Sequence, residues 1–256
     1  MMMTVFALFV LSRQKMFVHL WQLLRIGVMN MKKTEVSARA LLFTLLLLVV
    51  ILPFSAGAQN LLKDAGKNVD EIVPSGWEHI EAVGDLNKDG IADLVVSATP
   101  DFREHIRVRD DGYEYNFNQP VLGIYFGTGG GEFRCWKQYN NVMPALESEQ
   151  EMLDCVISIT DRGTLRIAIG RMYSAGSSYH STDSYIFRYQ NDDFFLIGKE
   201  SDSFSRMSGE QETVSYNYLT GKVQTVKGNV FDESVQPVET WKRIGKSPLR
   251  PMGDPL

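Results

Sequence analysis

Cysteine is scarce in this chain, whose 256 residues contain only two. Two thiols exclude a disulfide-rich scaffold and a zinc site with four cysteine ligands. An excess of basic charge is also absent, since 26 Lys and Arg stand against 31 Asp and Glu, and this argues against a nucleic-acid binder. The four histidines show neither an HExxH motif nor paired metal-ligand spacing. The 14 Phe, 10 Tyr and 4 Trp indicate a folded, core-forming domain.

A long apolar run occurs near the start, over residues 41–52, and carries no charge. Its twelve residues fall short of the about 20 needed to cross a bilayer as a helix. Three basic residues lie just before it, in 31–39, and the small residues 56–58 follow it. This order is typical of a secretory signal peptide with cleavage before Gln59. We therefore expect an exported protein, periplasmic or secreted, with no stable membrane span after cleavage.

The signal region, residues 1–58, contains thirty residues ahead of the segment that resembles a leader. We expect translation to begin at Met29 or Met31, which would leave 1–30 outside the protein; a second apolar segment is the alternative. The region holds six basic residues and one acid, so the remaining chain is markedly acidic. Such a protein favours cations and is unlikely to bind nucleic acid or anionic lipid through bulk charge.

The rest of the chain predicts an all-β fold. Residues 59–82 form a lead-in with a short N-terminal helix over 60–73, which Pro74 ends. Residues 83–245 contain about ten short strands with turns every eight to twelve residues, which predicts an antiparallel meander of propeller-blade-like repeats, as an incomplete propeller or a sandwich. The last segment, 246–256, has three prolines and is expected to be a flexible tail.

A weak internal repeat supports the blade-like pattern. Residues 83–96 (VGDLNKDGIADLVV) and 156–169 (VISITDRGTLRIAI) align as strand, turn and strand when Gly90 is placed over Gly163. Chance similarity between two β-meanders explains the match about as well. Two or three such units cannot close a ring, since propellers take about four to eight blades.

The sharpest motif is the segment DLNKDGIAD over residues 85–93. Hard oxygen donors stand at its first, third, fifth and ninth positions, and Gly90 at the sixth permits a sharp turn. We predict one calcium ion here, although an Asx-rich turn that binds nothing is the alternative. It is not an EF-hand, because Val96 stands where the twelfth-position Glu belongs. The predicted ligands are Asp85, Asn87, Asp89, the backbone carbonyl of Ile91, and Asp93.

A ninth-position Asp followed by a strand resembles the β-hairpin calcium loop of FG-GAP and VCBS repeats, as in integrin α propellers. The wider pattern, from Pro74 through GDLNKDGIADLVV, YIFRYQNDDFFLIG and SYNYLTGK, is similar to exported bacterial VCBS/FG-GAP repeat-like proteins. The resemblance implies a secreted β domain and supplies no catalytic residue. The second repeat has Ser158, Thr160, Arg162 and Arg166 at the ligand positions, so we expect one site rather than an array.

Two further features carry weaker predictions. Tyr113, Tyr115 and Phe117 alternate with polar residues, which places three aromatic rings on one strand face. That face is either core packing or a surface that binds a partner protein or glycan. Cys135 and Cys155 enclose a short loop and are candidates for a disulfide, which an exported location permits; their spacing alone does not show that they meet.

These patterns favour a non-catalytic binding or structural protein that one calcium ion stabilises, and we expect a monomer. The first alternative is a periplasmic inhibitor or adaptor that binds a protein or glycan through the aromatic strand. The second is a hydrolase with an unrecognised site. A pocket lined by His79, His105 or His180 together with acids would favour the hydrolase.

Overall fold

The structure is a computed structural model that describes residues 61–254. The predicted signal region over 1–58 and its possible internal start lie outside these residues. The described residues contain no helix of the length and apolar character that a membrane crossing requires.

Strands dominate the described part of the chain, where the longest α-helix, α1, is four residues long. A 3₁₀ turn covers Arg103–His105. The elements are β1 (Ala65–Gly66), α1 (Val69–Ile72), β2 (Glu78–Gly84), β3 (Asp93–Thr99), β4 (Ile106–Val108), β5 (Glu114–Asn116), β6 (Val121–Gly127), β7 (Phe133–Tyr139), β8 (Glu151–Ile159), β9 (Thr164–Tyr173), β10 (Tyr179–Gln190), β11 (Asp193–Ser205), β12 (Glu210–Asn217), β13 (Lys222–Asn229) and β14 (Val238–Arg243).

The strands form two main antiparallel sheets and one small hairpin. The first sheet has five strands in the order β1-β7-β6-β3-β2, and the second has seven in the order β14-β13-β12-β11-β10-β9-β8. The hairpin pairs β4 with β5. The prediction of an all-β antiparallel meander is confirmed, because each strand of the second sheet pairs with its neighbour in sequence. The described residues form fourteen strands rather than about ten.

One apolar core is shared by both sheets, and we call it the shared core. The first sheet contributes Val95, Leu122 and Ile124, all fully buried. The second sheet meets them with apolar side chains that alternate along its strands, as expected for a sheet with one face in the core. Those residues include Ile157, Leu165, Ile167, Ile169, Tyr185, Phe187, Phe194 and Leu196.

A second cluster covers the other face of the first sheet. Leu94 and Val96 point into it, while Val95 between them points into the shared core. Because β3 is buried on both faces, its sequence is a continuous apolar run rather than an alternating one. The lead-in segment supplies the cover through Leu62 and Ile72, both almost fully buried.

The predicted helix over 60–73 is shorter than expected. Only Val69–Ile72 is helical, and Asn68 caps it by accepting a hydrogen bond from the Glu71 N–H at 3.0 Å. The preceding residues are extended instead, since β1 pairs with β7. Tertiary packing of Leu62 against the first sheet therefore overrides the local helical pattern.

The C-terminal segment, predicted to be flexible, is docked as far as Asp254. The Leu196 N–H donates to the Arg250 carbonyl at 2.9 Å, and the Met252 N–H donates to the Phe194 carbonyl at 2.8 Å. Met252 is 3% exposed and belongs to the shared core. The prolines keep the segment extended, as expected, but the burial of Met252 fixes it in place.

Candidate functional site

The predicted calcium loop connects β2 to β3. The Asp85 carboxylate organises its turn: one oxygen accepts the N–H of Lys88 at 2.7 Å and of Asp89 at 3.2 Å, and the other accepts the Gly90 N–H at 3.0 Å. Lys88 and Gly90 have φ angles of 63° and 84°. Gly90 adopts this left-handed conformation without cost, and Lys88 is held in it by the bond to Asp85.

Asn87 and Asp89 lie side by side in the same turn. The Asn87 Nδ2 donates to an Asp89 carboxylate oxygen at 3.0 Å, and the Asn87 Oδ1 accepts the Asp89 N–H at 3.0 Å. The other Asp89 oxygen accepts the Ile91 N–H at 2.8 Å. The loop therefore places the side chains of its first, third and fifth positions in one turn, where they are exposed or half-buried.

Asp93 occupies a different environment, because it is fully buried. One of its oxygens accepts the N–H of Leu86 at 2.8 Å and of Asn87 at 3.4 Å, and the other accepts the Gly127 N–H at 2.9 Å. Burial raises the pKa of Asp93, although these backbone N–H groups act in the opposite direction. The side chain thus ties the loop to the end of β6.

Some side-chain oxygens of the loop can still bind a hard cation, whereas the Asp93 carboxylate is already used in hydrogen bonds within the fold. A carboxylate has about four lone-pair sites, so the two hydrogen bonds that Asp89 accepts leave it free capacity. Asp93 already accepts three N–H bonds and is turned towards Gly127. Among the described residues, no group of three or more His, Cys, Asp or Glu is arranged to hold a metal. Asp85 also accepts three N–H bonds but is half-buried, whereas Asp93 is fully buried. Asp85, Asn87, Asp89 and the Ile91 carbonyl would hold calcium from the solvent side of the loop, and ligation by Asp93 stays a prediction.

The loop also contacts the turn between β8 and β9. A Cβ on Gly163 would lie 2.6 Å from the Asp85 carbonyl oxygen, which shows how closely that turn packs on the loop. A Cβ on Gly127 would overlap the Ala92 carbonyl on the other side. Both glycines permit an approach that a larger residue would block. The loop therefore lies where the first sheet meets the second.

A cleft of about 1090 Å³ opens at the other end of the edge strands β2 and β8, away from the loop. The edge strands β2 and β8 touch at their C-terminal ends, where a Cβ on Gly84 would lie 2.7 Å from Ile159. Their first residues, Glu78–Ile80 and Glu151–Leu153, line the cleft instead. The carboxylates in its lining outnumber the guanidinium groups: Glu78, Asp101, Glu114, Glu149 and Glu151 against Arg103 and Arg109.

The aromatic strand forms part of the cleft wall. The Tyr113 and Tyr115 rings meet edge to face at 4.9 Å, and both residues line the cleft. Phe117 lies 6.4 Å from Tyr115, away from the cleft lining, with the Arg107 guanidinium 4.9 Å over its ring. The predicted face exists, but the structure divides it: Tyr113 is 59% exposed, whereas Phe117 is half-buried beneath Arg107.

Arginine side chains in and beside the β4–β5 hairpin, which we call the aromatic hairpin, form salt bridges. Arg103 donates to both oxygens of Glu114 at 3.0 Å, and Arg109 pairs with Asp111 at 2.8 Å. Arg107 reaches Glu149, on the opposite side of the cleft, at 3.5 Å. These groups are largely exposed, so each pair contributes little to overall stability. Of these three pairs, only Arg107–Glu149 connects the hairpin to a residue distant from it in sequence, and Glu149 lines the cleft.

The histidines are dispersed. His79 is exposed and lines the cleft beside Glu78 and Ile80, with its Nδ1 3.5 Å from the Trp77 carbonyl. His180 packs edge to face on Phe204 at 5.3 Å. Within residues 61–254, no hydrogen bond or ion pair joins any of the three histidines to a carboxylate.

The two cysteines are free thiols in the structure, so the candidate disulfide is not formed. Cys135 packs against the cluster behind the first sheet, and Cys155 packs against the shared core. Burial raises the pKa of both thiols. Because the thiolate is the reactive form, this shift disfavours reactivity at both cysteines.

Sequence reasoning found the loop and the aromatic strand but missed the cleft, Gly127 and Gly163. Those features depend on contacts between residues far apart in the chain, for which no local spacing gives a signal. Comparisons of the chain with protein-family models, curated proteins and solved structures find no match. The resemblance to FG-GAP and VCBS repeats therefore stays a prediction that rests on the sequence motifs alone.

Proposed function

We propose that this chain is an exported, non-catalytic binding protein that holds a protein or glycan partner in the cleft beside its aromatic hairpin. The observation that carries the proposal is the cleft of about 1090 Å³ with the Tyr113 and Tyr115 rings in its wall. Ligand sites are typically concave and combine apolar or aromatic surface with a few polar groups. Here Met143, Met152 and Leu153 supply apolar surface opposite the hairpin.

The second part of the proposal is structural calcium in the loop over 85–93. Bringing Asp85 and Asp89 together in one turn costs electrostatic repulsion, which a divalent cation would remove. The cation would add order where the loop meets Gly163 and Gly127, at the junction of the two sheets. Calcium would in this way stabilise the fold at the end of β2 and β8 that is remote from the cleft.

Calorimetric titration with Ca²⁺ tests the metal proposal. We expect one ion per chain, and no binding in Asp89→Ala, because Asp89 contributes ligands without being buried. Asp161→Ala is the matched control, since Asp161 is an exposed acid in the turn between β8 and β9. Binding that survives in Asp89→Ala, or no binding in the parent protein, would contradict the proposal.

Site-specific photocrosslinking tests the cleft. A benzophenone side chain at Tyr113 would react with a bound partner in the exported fraction of the producing cells or with an immobilised glycan panel. Met207, which is 84% exposed and does not line the cleft, is the control position. We expect adducts from position 113 that Tyr115→Ala reduces, and none from 207. Equal labelling from both positions would refute a specific site at the cleft.

A hydrolase is the second candidate, because His79 lines the cleft together with Glu78 and Glu151. The Glu151 carboxylate lies 3.3 Å from the Arg171 guanidinium and accepts the Glu147 N–H at 2.7 Å, so it is committed elsewhere. Hydrolysis of p-nitrophenyl esters or glycosides that His79→Ala abolishes would favour this candidate. Activity unchanged in His79→Ala would exclude His79 as its catalytic group.

A further inference from the structure

The outer edge of the seven-stranded sheet is the strand β14, and all six of its residues are exposed. The inner side of β14 pairs with β13. The backbone N–H and C=O groups on its outer side have no strand partner within the described residues. An open edge of this kind is a template for pairing with another strand. β14 has neither a proline nor a bulge within Val238–Arg243 that would prevent such pairing.

Exposed apolar side chains concentrate at the same edge. Val238 and Trp241 are 62% and 60% exposed although they lie in a regular strand. The connection from β13 to β14 contains three more exposed apolar residues: Val230, Phe231 and Val235. An exposed apolar group beside an unpaired strand edge indicates an interaction surface rather than a solvated rim.

The charges of β14 show what kind of strand fits. Glu239, Trp241 and Arg243 alternate along the strand and share one face. If a second copy of β14 is related to the first by a twofold axis perpendicular to the sheet, side chains on one face of the first strand lie on the same face in the second. Odd-numbered residues then lie opposite odd-numbered residues, and even-numbered residues opposite even-numbered ones. With Trp241 on the axis, each Glu239 faces Arg243 of the second copy. Opposite charges in directly facing positions stabilise an antiparallel pair.

A neighbouring register lacks this match. If Thr240 stood on the axis, Glu239 would face Trp241 of the second copy, and Val238 would face Lys242. The Glu239 carboxylate, which accepts a hydrogen bond from the Trp241 Nε1 of its own strand, would then have no opposite charge across the pair. The sequence of the edge therefore selects one register with itself.

We infer that this chain forms a twofold dimer through antiparallel pairing of two β14 strands centred on Trp241. The dimer extends the seven-stranded sheet into the second copy and places the two Trp241 side chains, each 60% exposed in the single chain, beside each other at the axis. This departs from the monomer expected from sequence alone. The inference is independent of the calcium loop and of the cleft, which lie at the opposite edge of the second sheet, near β8.

The test is the molar mass of protein purified from cells that express the full chain, measured by light scattering from about 1 to about 100 μM. We expect the mass of two chains at the upper end. Glu239→Arg and Arg243→Glu should each give one-chain mass, because each places like charges opposite each other. The double variant Glu239→Arg/Arg243→Glu restores opposite charges and should recover the dimer.

Glu81→Arg, a charge reversal on the exposed edge strand β2, is the matched control and should keep the two-chain mass. The melting temperature of every variant should match the parent at low concentration, since the altered side chains are exposed. One-chain mass for the parent at all concentrations would overturn the inference. So would dimers in both single reversals, or a double variant that stays monomeric.

Discussion

Two hairpins of this molecule have the same strand–turn–strand arrangement, but their turns are stabilised by different side chains. β2 and β3 flank the loop over 85–93, and β8 and β9 flank the turn over 160–163. Both turns contain a glycine with positive φ, Gly90 at 84° and Gly163 at 69°. The first turn is organised by carboxylate and amide side chains, whereas the second needs one hydroxyl pair, Thr160 and Thr164, 2.7 Å apart.

The difference lies in what each turn must span. The second hairpin closes directly, with the Thr160 N–H donating to the Thr164 carbonyl at 3.0 Å. The first hairpin has eight residues between its strands. The Asp85 carboxylate accepts hydrogen bonds within this loop, and the buried Asp93 carboxylate anchors the loop to the protein interior. A long loop loses more conformational entropy on ordering than a tight turn does. A bound ion would therefore stabilise the first turn more than the second.

Removing the buried Asp93 carboxylate should have the largest effect on stability. Asp93→Ala leaves the buried Leu86 N–H and the half-buried Gly127 N–H without their acceptor, and we expect a loss of about 2–4 kcal/mol in the free energy of unfolding. Urea unfolding measures it. Asp161→Ala, in the second turn, should stay within about 0.5 kcal/mol of the parent. Equal losses in the two variants would show that Asp93 does not anchor the loop.

A substitution that forces the two turns apart should have an intermediate effect on stability. A methyl group on Gly163 would lie 2.6 Å from the Asp85 carbonyl and would sit on a residue with φ +69°. We expect Gly163→Ala to lower the free energy of unfolding by about 1–3 kcal/mol. Gly129→Ala is the control, because Gly129 has open space and no positive φ. A neutral Gly163→Ala would mean that the turns do not press on each other.

The smallest effect is expected at the hydroxyl pair of the second turn. Thr164→Val removes the hydroxyl that lies 2.7 Å from the Thr160 Oγ1 while keeping a β-branched side chain in the strand. The expected loss is about 0.5–1 kcal/mol, the ordinary value of one partly exposed hydrogen bond. This loss should be the same with calcium and with chelator. A calcium-dependent loss would show that the second turn shares the ion.

Local patterns predicted most of the sheet architecture. The strands with clear alternation or an apolar run, such as β3 and β9, follow from period-two burial. The strands β1, β4 and β14 were missed, because they are short or polar and are defined by their pairing partners. The docked tail was missed for a similar reason, since the burial of Met252 depends on a space between distant strands.

The site was predictable to the extent that its chemistry is local. The spacing of Asp85, Asn87 and Asp89 places them in one turn, and their side chains form hydrogen bonds within that turn. Asp93 is predicted as a ligand from its position alone, and that role stays a prediction. Its partner Gly127 comes from a strand 34 residues away. That contact turns the side chain into the protein interior, and no spacing rule contains it.

The central claim is that the first turn is completed by calcium and the second is not. The most direct test is thermal unfolding of the parent protein, Asp89→Ala and Thr164→Val, each with calcium and with chelator. With calcium near 1 mM and a dissociation constant near 0.1 mM, linkage predicts a gain of about 1.4 kcal/mol. For a domain of this size, that gain corresponds to a rise of about 3–5 °C in melting temperature.

We expect this rise in the parent and in Thr164→Val, and none in Asp89→Ala. An identical melting temperature with calcium and with chelator in the parent protein, or a full rise in Asp89→Ala, would contradict the account.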